Sequence, residues 1–235
     1  MGSTFLIDTD DWDLEQFRSS PGMTGAAGFR RKLPRHQPRD PFIKGPIPYT
    51  WMVMACRLSG SGLRVAMFHR FLCSRFRSRN RWGLDKIARG LRISEDSARR
   101  GLHVAELAGL LSVVRKPGCK RVVSVSDLAE SDGRPTHRPL YGPIPWTWWL
   151  PASRLPGRSL QVASVLWLLA GWERSADFEL ASDDWAEFGL SRSSASRGLD
   201  ELERAGLIAA VRRHGRTPMV SILDPIPHPP RTRIP

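Results

Sequence analysis

Ser191-Arg192-Ser193-Ser194-Ala195-Ser196-Arg197-Gly198-Leu199-Asp200-Glu201-Leu202-Glu203-Arg204-Ala205-Gly206-Leu207-Ile208 reads as one helix with a start, a buried stripe and a stop. The Ser191 hydroxyl can accept from a free first-turn amide, as a good N-cap does. Ala195, Leu199 and Leu202 recur at i, i+4 and i+7 and make one apolar stripe. Gly206 is the residue type favoured just past a helix end. The same signals stand 97 residues earlier, with Ser94 as cap, Ala98, Leu102 and Ala105 as stripe and Gly109 as stop. The predicted helices are Glu95–Leu107 and Arg192–Ala205.

The offset of 97 extends far beyond these helices. Gly45-Pro46-Ile47-Pro48-Tyr49-Thr50-Trp51 returns as Gly142-Pro143-Ile144-Pro145-Trp146-Thr147-Trp148, and residues 45–127 align without a gap on 142–224 with 32 identities in 83 positions. A unit of this length is a duplicated domain, longer than the ~20–50 residues of a solenoid repeat. Each copy follows one order. A Gly-Pro-Ile-Pro lead-in cannot be helical, because proline bars the helical state of the residue before it. The aromatics after it are expected to pack on the domain. A first helix is predicted at about Leu63–Arg77 and Leu160–Trp172, and a short second one at about Leu84–Leu91 and Ser182–Phe188. The stripe-bearing helix comes next. Two alternating strands then flank a basic turn, Leu111–Val114 with Val122–Val125 and Ile208–Val211 with Met219–Ile222, so each copy ends in a hairpin with a cationic tip. The predicted fold class is α+β, mainly α. Residues 1–44 read as a disordered tail, acidic and then basic, 128–141 as a linker, and 225–235 as a proline-rich tail. The basic end of the first tail, Arg30 to Arg35, suits either a solvated linker or a DNA-contacting arm.

Three helices followed by a basic-tipped hairpin make the arrangement of a winged helix-turn-helix. Ser191 to Ile208 resembles the recognition helix and wing start of bacterial winged-helix regulators of the MarR kind, and Ser94 to Leu111 resembles a diverged copy. The tandem pair also resembles plasmid replication initiators with two winged domains. The resemblance spans both copies and implies two tandem winged helix-turn-helix domains that bind DNA. Gly-Pro-Ile-Pro-x-Thr-Trp does not itself point to a mechanism.

Charge points the same way. The chain carries 36 Lys+Arg against 23 Asp+Glu, a formal charge of +13, which suits an acidic partner, nucleic acid first and a membrane surface second. Residues 45–127 hold 16 basic and 5 acidic side chains, whereas 142–224 hold 9 and 10. Copy one supplies the field, and copy two can only place its arginines locally. A helix fits the major groove, where its N-terminal residues reach base edges. With the apolar stripe turned inward, copy two presents Arg192, Ser193, Ser196 and Arg197. Copy one presents Glu95, Asp96, Arg99, Arg100 and His103. The wings add Arg115, Lys116, Lys120 and Arg121 in copy one, and Arg212, Arg213 and Arg216 in copy two. The acids of copy one can cap the helix or accept from cytosine N4, and they repel phosphate. Arginines on and after the first helix (Arg64, Arg70, Arg75, Arg77, Arg79 and Arg81) suit either the helix C-terminal dipole or phosphate contact.

Catalytic patterns are missing from the sequence. Three cysteines at unrelated spacings make no disulfide framework, in keeping with a reducing cytosol. His69 and Cys73 stand at i, i+4 without a second pair, and copy two has Leu166 and Ala170 there. Asp183, Asp184 and Glu187 read as a solvated or capping cluster. Neither Tyr49 nor Tyr141 follows a His-x-His pair, and no phosphate-binding glycine loop is present. No signal peptide is evident, and the apolar run Val162–Gly171 is too short to span a bilayer. The expectation is a cytoplasmic, nucleoid-associated double-stranded DNA reader, neither an enzyme nor a holder of cofactor or metal. A transcription regulator comes first. A plasmid or phage replication initiator is the alternative, as is an adaptor whose second domain docks a protein partner.

Overall fold

The structure is a computed structural model that describes residues 31–38, 40–76, 82–115, 121–126, 138–180, 184–212 and 217–224. It is α+β and mainly α, with small antiparallel sheets. Copy one contains α1 (Tyr49–Arg57), α2 (Gly60–Phe76), α3 (Leu84–Leu91), α4 (Glu95–Leu107), β2 (Leu111–Val114) and β3 (Val122–Val125), preceded by β1 (Phe42–Ile43). Copy two contains β4 (Ile144–Pro145), α5 (Trp146–Ala152), α6 (Ser159–Glu173), β5 (Asp177–Glu179), α7 (Asp184–Glu187), α8 (Arg192–Arg204), β6 (Ile208–Val211) and β7 (Met219–Ile222). The bounds of α4, β2 and β3, raised by 97, fall on those of α8, β6 and β7.

Local chemistry explains this register. Ser94 and Ser191 each accept from the amide three residues on, Ser97 and Ser194, at 3.2 Å. Both helices end in a left-handed glycine, Gly109 at φ 71° and Gly206 at φ 68°. The amide after each glycine closes on a carbonyl five residues back, Leu110 on Ala105 and Leu207 on Leu202, at 3.0 Å. Gly101 and Gly198 let α4 and α8 pack against α2 and α6. A Cβ on Gly101 would meet the Ser61 carbonyl oxygen and Val65, and one on Gly198 would meet Val162, the counterpart of Val65.

Four features depart from the sequence reading. The aromatic segments after the prolines are helices, α1 and α5, which no period signalled. Between the first and second helices of copy two lies β5, which pairs with β7 to give a three-stranded sheet in the order β5-β7-β6. The equivalent positions in copy one are 80–82, of which only Trp82 is described. The helix expected at Ser182–Phe188 is only the single turn α7, Asp184–Glu187, with 181–183 outside the described residues. Finally, residues 31–44 are not tail-like. Ile43 is fully buried, the Arg31 carbonyl accepts from the Ala176 amide, and the Arg31 guanidinium donates to the Ile222 carbonyl at 2.6 Å. In the expected linker, Leu140 is likewise buried. The tails 1–30 and 225–235, and 127–137 of the linker region, lie outside the described residues.

The copies share one hydrophobic core. Helix α6 is buried on nearly every side, which accounts for its apolar run. Contacts across the seam come in reciprocal pairs. Ile43 pairs with Ile144 in the β1–β4 ribbon, and their counterparts, Leu140 and Ile47, form a bridge with two 2.9 Å hydrogen bonds. Arg64 donates to the Leu155 carbonyl at 3.2 Å, while its counterpart Gln161 donates to the carbonyl of Leu58, the counterpart of Leu155, at 3.4 Å. Gly45 and Gly142 face each other so closely that a Cβ on either would come within 3 Å of the other's backbone nitrogen. Each opens its own lead-in, and both Gly-Pro bonds are cis. Aromatic plugs cross in both directions. Tyr49 stacks on Trp172 and donates to Glu187 at 2.6 Å, and Trp146 stacks on Phe71 with ring centres 4.2 Å apart. A surface that meets its own counterpart in this manner is isologous, the interface of a two-fold dimer.

Candidate nucleic-acid interface

The stripes of α4 and α8 fix which side chains face outward. Burying Ala98, Gly101, Leu102 and Ala105 leaves Glu95, Asp96, Arg99, Arg100 and His103 exposed. Burying Ala195, Gly198, Leu199 and Leu202 leaves Arg192, Ser193, Ser196, Arg197 and Asp200 exposed. Along these outward faces only one charged residue is the same in both copies, Arg100 and its counterpart Arg197.

In copy one the helix and the hairpin close on each other. Arg99, Arg100 and His103 of α4 line a depression of about 400 Å³ together with Arg115 and Arg121 from the hairpin. Five of the predicted DNA-binding residues thus share one concavity, with no acid among the described residues of its lining. Arg99 is also paired with Asp96 at 2.8 Å, so the acid draws one cation toward the helix start. Lys116 and Lys120 lie outside the described residues.

The first hairpin arginine of each copy is not free-standing. Arg115 forks onto Glu106 of α4, with one contact of 2.7 Å. That hydrogen bond holds the Glu106 carboxyl below its ordinary range and raises the Arg115 guanidinium. In copy two, Arg212 donates to Glu203 at 2.9 Å and to Asp200 at 2.7 Å. Glu203 is held low first by Arg212 and next by the Ala210 amide. The pairs 106–115 and 203–212 are counterparts, so a carboxylate on α4 or α8 positions the first hairpin arginine in both copies. Sequence reasoning missed the two glutamates, although both pairs are among the identities between the copies. Arg213 and Arg216 lie outside the described residues.

Other candidate groups have structural roles. Arg64 crosses the seam, and Arg70 donates to the Pro46 carbonyl at 2.9 Å and lies over the Trp51 ring at 5.1 Å. Arg77, Arg79 and Arg81 lie outside the described residues, as does the side chain of Arg75. His69 is fully buried, and desolvation pulls its imidazole down to about 4. Burial pushes the Cys56 thiol up to about 12. Among the described residues, no group of three or more His, Cys, Asp or Glu is placed to hold a metal, and no helix is long and apolar enough to cross a membrane. A second concavity, of about 630 Å³, lies where the two lead-ins meet, with Lys32, Arg35, Arg138 and Trp172 on its walls. No family model, curated protein or solved structure matches the chain.

Proposed function

We propose that each copy is a winged helix-turn-helix domain and that the chain is a sequence-reading double-stranded DNA-binding protein, acting as a transcription regulator. The observation that carries this reading is the depression where Arg99, Arg100, His103, Arg115 and Arg121 converge from a helix and its hairpin. A surface of this charge suits phosphate, and the exposed N-terminal half of α4 or α8 suits base edges in the major groove. The clamp from Glu106 to Arg115 keeps the hairpin at a set angle to the helix, so that groove and backbone are met together. On α8, Arg192 and Arg197 suit guanine acceptors, and Ser193 and Ser196 suit phosphates or bases.

The test is duplex binding across a salt series. With six to ten cationic contacts, affinity is expected to fall by about 10³–10⁵ between 50 and 200 mM salt. A flat response would remove the proposal.

A second reading has an observation of its own. Arg212 is held by both Asp200 and Glu203, so copy two offers little free cation on its described hairpin. In that reading copy one holds DNA and copy two docks a protein partner, an arrangement that also suits a replication initiator at an origin.

A further inference from the structure

We infer that a single chain recognises an imperfect inverted repeat, with α4 on one half-site and α8 on the other. This inference rests on the DNA-reading proposal above and adds the geometry of its target. The reciprocal contacts at the seam exchange residue i with residue i+97, from the paired strands to the Arg64 and Gln161 hydrogen bonds. Such an exchange is a rotation by half a turn. The reading helices begin close to this seam. Arg57 of copy one donates to the Glu187 carbonyl and packs beside Gly189, in the turn before α8. Its counterpart Arg154 lies near Arg92, in the turn before α4, and is lowered by burial and then by the Arg92 charge. Ser191 and Ser94 follow those turns by two residues.

Two heads related by half a turn meet one duplex equivalently only where their axis coincides with a two-fold axis of the DNA. The half-sites then run in opposite directions, as they do for a two-subunit regulator. A direct repeat would require heads related by a translation along the duplex, and the seam excludes that relation. The repeat is imperfect because the outward faces differ. Glu95, Asp96, Arg99 and His103 have Arg192, Ser193, Ser196 and Asp200 as counterparts. Only Arg100 and Arg197 correspond, so the two half-sites share the base met by this pair and differ around it.

The experiment selects duplexes from a random-sequence library with the full chain, and measures the chain-to-duplex ratio on the winning site. The expected result is two unlike half-sites in inverted order with one chain bound. Arg100→Ala and Arg197→Ala are each expected to relax one position, in opposite halves, by roughly 5- to 150-fold. A grafted chain carrying Glu95→Arg, Asp96→Ser, Arg99→Ser and His103→Asp, all on exposed positions, is expected to select a symmetric inverted repeat. Winning sites that are direct repeats, or single half-sites, would overturn the inference while leaving DNA reading intact. So would two chains on one inverted repeat. A library with no preferred sequence would overturn the DNA-reading proposal and this inference together.

Discussion

Copies one and two agree at their joints and differ on their faces. The serine caps, the packing glycines Gly101 and Gly198, the terminal Gly109 and Gly206, and the Glu106–Arg115 and Glu203–Arg212 clamps all recur at the same offset. The outward residues of α4 and α8 recur at one charged position only. Joints tolerate little change, because a helix start, a close approach or a fork onto an arginine each needs one residue type. Outward positions are constrained by the partner alone. The difference therefore separates what builds each copy from what each copy meets, and it assigns field to copy one and local arginines to copy two.

The largest effect expected from breaking this comparison is an acid sensitivity that arises at a site copy two lacks. His69 is buried and titrates near 4, against about 6.5 when exposed, and its counterpart is Leu166. Between those values the unfolded chain binds a proton that the folded chain does not. The contribution is therefore complete above pH 6.5 and falls as pH drops to 4, by about 3 kcal/mol. Urea unfolding of His69→Leu across that range should lose most of this slope. An unchanged slope would place the sensitivity elsewhere.

The packing glycines should separate next. A Cβ at 101 meets the backbone oxygen of Ser61, which cannot step aside, whereas at 198 the nearest atom is a Val162 methyl. Gly101→Ala should cost about 1–3 kcal/mol, as overpacking does. Gly198→Ala should cost less, because the Val162 side chain can shift where a backbone oxygen cannot, while alanine returns up to about 1 kcal/mol of helix propensity at both positions. Thermal unfolding of both variants orders them, and the reverse order would contradict the assigned contacts.

The smallest expected stability effect is that of the clamps. A double-mutant cycle on Glu106 and Arg115 should give about 0.2–1 kcal/mol, as for other exposed pairs. Their role is positional, so Glu106→Gln should change duplex affinity more than it changes unfolding. Equal small effects on both would leave the clamp without a part in binding.

Helices α3 and α4 were legible because their signals are local. Ser94, the i, i+4 stripe and Gly109 bound α4 within the sequence itself, and its predicted limits match those observed. Helices α1 and α5 were not legible. The prolines before them and the tryptophans within them carry no period, and burial of Trp51, Trp148 and Trp149 holds them in place. Strand β5 has three residues, and its partner β7 lies some forty positions away, beyond any window of pattern reading. The depression on copy one was legible residue by residue, from exposure alone. The glutamate clamps were not, since each joins a helix to a hairpin across a turn. The seam was hidden as well, because a duplication alone does not fix the rotation that relates its copies.

Both copies are proposed to read DNA, each through the outward arginine they share, with copy one supplying most of the field. The most direct test of this claim is a competition assay with preferred and scrambled duplexes, on Arg197→Ala alongside Arg121→Ala. Arg197→Ala is expected to lose about 1–3 kcal/mol on the preferred duplex alone, as a bidentate guanine contact would. Arg121→Ala should weaken both duplexes alike, because phosphate contacts carry no base information. Wild-type binding of both duplexes by Arg197→Ala would contradict the claim and leave copy two as a docking domain.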